Sequence, residues 1–107
     1  MEADLNKVLE AGIKAHRSGN LAVAERLYLN CLEYQPNHHL ANYKLAIILD
    51  QKGLKRDALG PLKKALEVKP NESHYWIRYI EQLILCEELR DAYDVTVQAK
   101  LIGINCS

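Results

Sequence analysis

The sequence predicts an all-α protein: an α–α superhelix of three helix-turn-helix repeats, six antiparallel helices in all. Two observations carry this. First, the same residue types return every 34 positions: Gly19 with Gly53, Ala24 with Ala58 and Ala92, Cys31 with Ala65 and Ala99, and Pro36 with Pro70. A fixed period of this length marks a stack of helix pairs, none of which can bury its apolar face alone. Second, apolar residues between the glycines and prolines recur at three- and four-residue spacing, the period of an amphipathic helix. The organising stretch is Ala41–Pro70, two helical patterns joined at Lys52-Gly53 and closed by Pro70.

The elements follow in order. Residues 3–17 place Leu5, Val8, Leu9, Ala11, Gly12 and Ala15 on a broad stripe, ended by a left-handed turn at Gly19. Asn20 is placed to cap a second helix over 21–34, which carries Ala24, Leu27, Tyr28, Cys31 and Leu32. Pro36 stops it, and Asn37 is the expected cap of a third helix over 38–52, with Leu45, Ala46 and Leu49 inside. Gly53 breaks that helix. A fourth, over 55–68, holds Ala58, Leu62, Ala65 and Leu66, and Pro61 within it is expected to bend it. Pro70-Asn71 opens a fifth helix over 72–86 with Trp76, Tyr79, Ile80 and Leu83. Glu87 then stands where the earlier turns have glycine. A sixth helix, over 89–102, carries Ala92, Tyr93, Val95, Ala99 and Ile102 and ends at Gly103.

Composition bounds the function. Fourteen basic side chains balance 14 acidic ones, and no basic strip interleaved with aromatics occurs, which sets nucleic acid aside as a partner. The charge is uneven along the chain: residues 51–70 hold six basic and two acidic groups, residues 71–107 three basic and six acidic. A solvated mixed-charge surface accounts for this, and head-to-tail association is the sharper alternative. No apolar run is long enough to cross a membrane, and MEADLNKVLEAG has no apolar signal core, so a cytoplasmic setting is expected. Of the three cysteines, Cys31 takes the place of a small alanine and reads as a buried free thiol.

No constellation for chemistry is present. His38-His39, His74 and Cys86 lack the spacing of metal ligands, and the histidines read as solvated helix-start residues. No Gly-rich phosphate loop, serine-nucleophile elbow or zinc-helix motif occurs, so neither an enzyme nor a cofactor is expected.

Gly12, Gly19, Ala24, Tyr28, Cys31 and Pro36, then Leu45, Ala46, Gly53, Ala58, Ala65 and Pro70, then Trp76, Ala92 and Ala99, make the chain resemble the tetratricopeptide repeat family. Its third repeat departs from the pattern at Glu87 and at Ile104, where proline belongs. The resemblance implies a single domain over 1–107, with repeats at about 5–37, 38–71 and 72–105, wound as a right-handed solenoid. It also implies a concave groove that binds a protein or peptide. Its residues would be Leu9, Ile13 and Arg17 from the first repeat, Tyr43, Ile47 and Gln51 from the second, and Ile77 and Glu81 from the third. Asn6, His16, Leu40, Asp50, His74, Ile84 and Leu85 fill out the same face. Leu9 and Ile13 occupy the places of the lysine and asparagine with which some members clamp chaperone tails, so that chemistry is not expected.

The leading expectation is a non-catalytic interaction module. The alternatives are the N-terminal recognition domain of a longer enzyme, since the third repeat is loosely similar to those preceding bacterial glycosyltransferase domains, and a structural homodimer. Leu89, Tyr93, Val97 and Leu101 cannot all turn inward on the sixth helix, so an apolar face is expected there, covered by a second copy of the chain, by a partner or by residues of a longer parent protein.

Overall fold

The computed structural model describes residues 2–104. The third cysteine, Cys106, and the end of the third expected repeat lie outside them. The helices are α1 (Glu2–Arg17), α2 (Leu21–Tyr34), α3 (His39–Gln51), α4 (Leu59–Val68), α5 (Ser73–Leu85) and α6 (Leu89–Leu101). Each packs chiefly on its neighbours in sequence, so the chain folds back and forth into a stack with principal extents of 38 × 28 × 21 Å.

The turns inside the helix pairs, and the turn that follows α6, share one geometry. At Gly19 the backbone N–H donates to the His16 carbonyl (3.0 Å) and that of Asn20 to Ala15 (2.9 Å). The same two bonds recur at Gly53 and Leu54, at Glu87 and Glu88, and at Gly103 and Ile104. This double closure satisfies carbonyls left open at a helix end, and it demands a left-handed residue at its centre. The φ values are +81° at Gly19, +85° at Gly53, +60° at Glu87 and +91° at Gly103. The turn geometry therefore survives at Glu87 without glycine, and Glu87 bears the strain.

Helix starts are less uniform. Asn20 caps α2 as expected, its side-chain oxygen accepting from the Val23 N–H at 3.3 Å. The cap of α3 is His38, not Asn37: the His38 Nδ1 accepts from the Ala41 N–H at 3.2 Å. The expected fourth helix begins later. A 3₁₀ turn over Arg56–Ala58 leads into α4, where Pro61 is the third residue. A nitrogen in the first turn has no intrahelical partner to lose, so the proline is accommodated at the helix entrance.

The core forms where small residues let helices approach. Ala24, Cys31, Ala41, Ala58, Ala65 and Ala99 are fully shielded, and Ala46 and Ala92 nearly so. At Gly12 a Cβ would lie 2.7 Å from the Tyr28 Cε1, so only glycine fits against that ring. Tyr28 is wholly buried, and its hydroxyl has no hydrogen-bond partner; burial, then Cys31, pushes its pKa up. Cys31 is a buried free thiol, raised in pKa by its burial.

One bond ties the helix pairs at both junctions. The Asn42 Nδ2 donates to the Pro36 carbonyl at 3.1 Å, and 34 residues on the Trp76 Nε1 donates to the Pro70 carbonyl at 2.8 Å. Both carbonyls lie in the turn before a helix, where no backbone donor reaches them within the helix ladder.

Two substitutions test the turns by chemical denaturation. Glu87→Gly is expected to stabilise the protein by about 0.5–1 kcal/mol, because glycine adopts the left-handed angle without the steric penalty. Gly53→Val is expected to destabilise it by about 1 kcal/mol or more, since a β-branched residue is strained there.

Candidate partner-binding groove

The expected groove residues sit on α1, α3 and α5, the first helices of the three pairs, and polar bonds hold these helices side by side. The His16 Nε2 and the Gln51 Oε1 are 2.8 Å apart, joining α1 to α3. The Gln82 Nε2 donates to the Asp50 Oδ1 and to the Lys55 carbonyl, both at 3.0 Å, joining α5 to α3. Gln82 is 1% exposed, so these bonds are made away from water, where a lost partner would leave an unpaired polar group.

An aromatic and imidazole cluster reinforces the α3–α5 contact. The Tyr43 and Tyr75 rings are tilted with centroids 4.8 Å apart, and the Tyr75 hydroxyl is 2.6 Å from the His39 Nδ1. Burial, followed by the neighbouring charges of Lys69 and His38, lowers the His39 pKa and favours the neutral ring. Burial first, and then Glu72 and Tyr43, raises that of Tyr75. His38 and His39 are thus half-buried structural groups, one capping and one bonded to Tyr75; the solvated helix-start reading is corrected. His74 is exposed, with its Nδ1 3.4 Å from the Glu72 carboxylate. Among the described residues no three His, Cys, Asp or Glu side chains cluster to hold a metal ion.

The expected groove residues divide into three kinds. Leu9 is corrected: it is 8% exposed and packs in the core with Tyr28, Leu45 and Ile48. The turn of α1 on α2 draws it inward, because Gly12 and Ala24 allow the two helices to come close. Ile13 and Tyr43 are half-buried and rest on the core clusters. Ile47 and Ile77 are half-buried yet are not among the side chains packed against those clusters. Arg17, Gln51 and Glu81 are exposed at the margins, with Gln51 bonded to His16. Beyond them Ile84 and Leu85, at the end of α5, are 51% and 52% exposed.

Gln82 and Asn42 were missed by the sequence reading. The available signal was a polar residue at helical spacing among apolar ones, Gln82 between Tyr79 and Leu83, and Asn42 between Ala41 and Leu45.

Three helix pairs stacked through alanines, closed by left-handed turns and aligned first helix to first helix, define the tetratricopeptide repeat fold. No protein-family model matches the sequence, and no curated protein matches it. Solved structures do. The chain is similar to MamA, with TM-score 0.85 and 22% identity, over 96% of this chain and 56% of that one. It is similar to the Thermobaculum terrenum O-GlcNAc transferase, with TM-score 0.81 and 20% identity, over 95% of this chain and 20% of that one. It is also similar to the TPR2B domain of yeast Sti1, solved in complex with pHsp70, with TM-score 0.78 and 19% identity, over 89% of this chain and 76% of that one. The chain thus spans about half of the MamA chain and a fifth of the transferase chain, and the likeness in each case is one of fold.

Proposed function

We propose that the protein is a non-catalytic interaction module, and that an extended peptide or partner helix lies across α1, α3 and α5. Ile13, Tyr43, Ile47 and Ile77 form the apolar strip of this reading, with Arg17, Gln51 and Glu81 at its margins and Leu9 supporting Ile13 from beneath. The observation that carries it is the state of Ile47 and Ile77, half-buried apolar side chains outside the core clusters. Apolar surface kept in register across successive helices is what a bound helix or peptide covers. The yeast Sti1 domain, which has this fold, is in complex with pHsp70, and this supports a protein ligand for the fold. The reading treats residues 1–107 as one domain of three repeats in a cytoplasmic protein.

Two further readings have support. The fold forms part of the O-GlcNAc transferase chain, which favours a recognition segment of a longer enzyme. Leu89, Tyr93, Val97 and Leu101 on α6 are 64%, 70%, 39% and 80% exposed, which favours self-association through that helix. Sedimentation over a hundredfold range of concentration distinguishes the latter: a concentration-dependent dimer lost in Tyr93→Ser supports it, and a monomer throughout excludes it.

The groove is tested with peptides selected from a displayed random library. A selected peptide is expected to shift the amide resonances of Ile13, Tyr43, Ile47 and Ile77. Ile47→Glu is expected to weaken its binding at least tenfold while leaving the spectrum of the folded protein otherwise intact, since the site is half exposed. Shifts confined to α2, α4 and α6 would contradict the groove.

A further inference from the structure

A cleft of about 500 Å³ opens on the other side of the stack, between α4 and α6. Its floor holds Trp76 and Tyr79 of α5, and its rim holds Lys63 and Glu67 of α4 and Asp91 and Asp94 of α6. By helical period, Trp76 and Tyr79 lie on the opposite side of α5 from Ile77 and Glu81, so the cleft is separate from the groove.

Three features point to one ligand chemistry. The floor is aromatic, and an aromatic face attracts a cation. The rim carries three carboxylates against the one ammonium of Lys63. The ion pairs of the described residues join Lys52 to Glu25, Arg56 to Glu88 and His74 to Glu72, and none of them uses Glu67, Asp91 or Asp94. Tyr79 senses the same carboxylates: burial, then Asp91 and Glu67, pushes its hydroxyl above the usual range.

The chain contains its own control. Thirty-four residues earlier, at the junction of the first two pairs, Glu67 and Asp91 have acidic equivalents in Glu33 and Asp57, but the equivalents of Trp76 and Tyr79 are Asn42 and Leu45, and that of Asp94 is Gly60. Two acidic positions thus recur at both junctions, while the aromatic floor and the third carboxylate, Asp94, belong to this junction alone of the two.

We propose that the cleft between α4 and α6 is a second binding site, which receives a lysine or arginine side chain of a partner protein. The apolar stem would lie over Trp76 and Tyr79 while the charged head meets the carboxylates of Glu67, Asp91 and Asp94, an arrangement suited to an amphipathic cation.

Trp76 is the one tryptophan of the chain, so its indole N–H is an unambiguous reporter at the floor. The ¹⁵N-labelled full chain is titrated with Nα-acetyl-lysine methylamide at constant ionic strength, and with the Nε-acetylated compound as the neutral control. The lysine compound is expected to move the Trp76 indole signal along a saturating curve. The neutral control, and the lysine compound on Asp91→Asn/Asp94→Asn, are each expected to respond at least tenfold more weakly. Asp94→Asn alone serves if the double variant does not fold, with an expected loss of at least threefold. No saturating shift, an equal response to both compounds, or an undiminished response in the folded variant would overturn the site.

Discussion

The helices meet through side chains of almost no volume, and everything else in the stack follows from that. Ala24, Ala58, Ala65 and Ala99 have no exposed surface, each at a place where a helix crosses its neighbour. Gly12 goes one methyl further, because the Tyr28 ring occupies the space of its missing Cβ. Interiors pack at crystalline density, so a helix pair set this close leaves no room for a larger residue and fixes where the next pair must lie. The Asn42–Pro36 and Trp76–Pro70 bonds then fasten the first helix of each later pair to the turn that leads into it.

That constraint is also why so much of the fold was legible in the sequence. A contact that tolerates only alanine or glycine writes itself into the chain at each recurrence, as does a turn that needs a left-handed residue. Gly19 and Gly53 announced their turns, and the period placed a third at Glu87 despite the change of residue. Where several residue types do the same work, the sequence was less informative. Asn37 and His38 both offer a side-chain acceptor at a helix start, and only the path of the chain after Pro36 selects His38. Pro61 is compatible with a bent helix or with the first turn of a later one, and the 3₁₀ turn over Arg56–Ala58 decides for the second.

The face shared by the first helices was legible in outline and not in depth. Helical spacing places Leu9 and Ile13 on nearly the same face, but the close approach of α1 to α2 covers Leu9 and leaves Ile13 partly open. Spacing alone carries no information on that rotation. Gln82 was overlooked because its partners, Asp50 and the Lys55 carbonyl, come from another helix and a turn. The cleft beneath Glu67, Asp91 and Asp94 draws on three helices and was invisible for the same reason. In a stack of repeats the core is written locally, while binding surfaces arise where neighbouring units meet.

Close approach at the shared small positions sets the register of the stack. The most direct measurement is the denaturant-unfolding free energy of Ala58→Leu, at a site with no exposed surface. Overpacking there is expected to destabilise the protein by about 1–3 kcal/mol. A variant as stable as the parent would mean that close packing at Ala58 does not set the register.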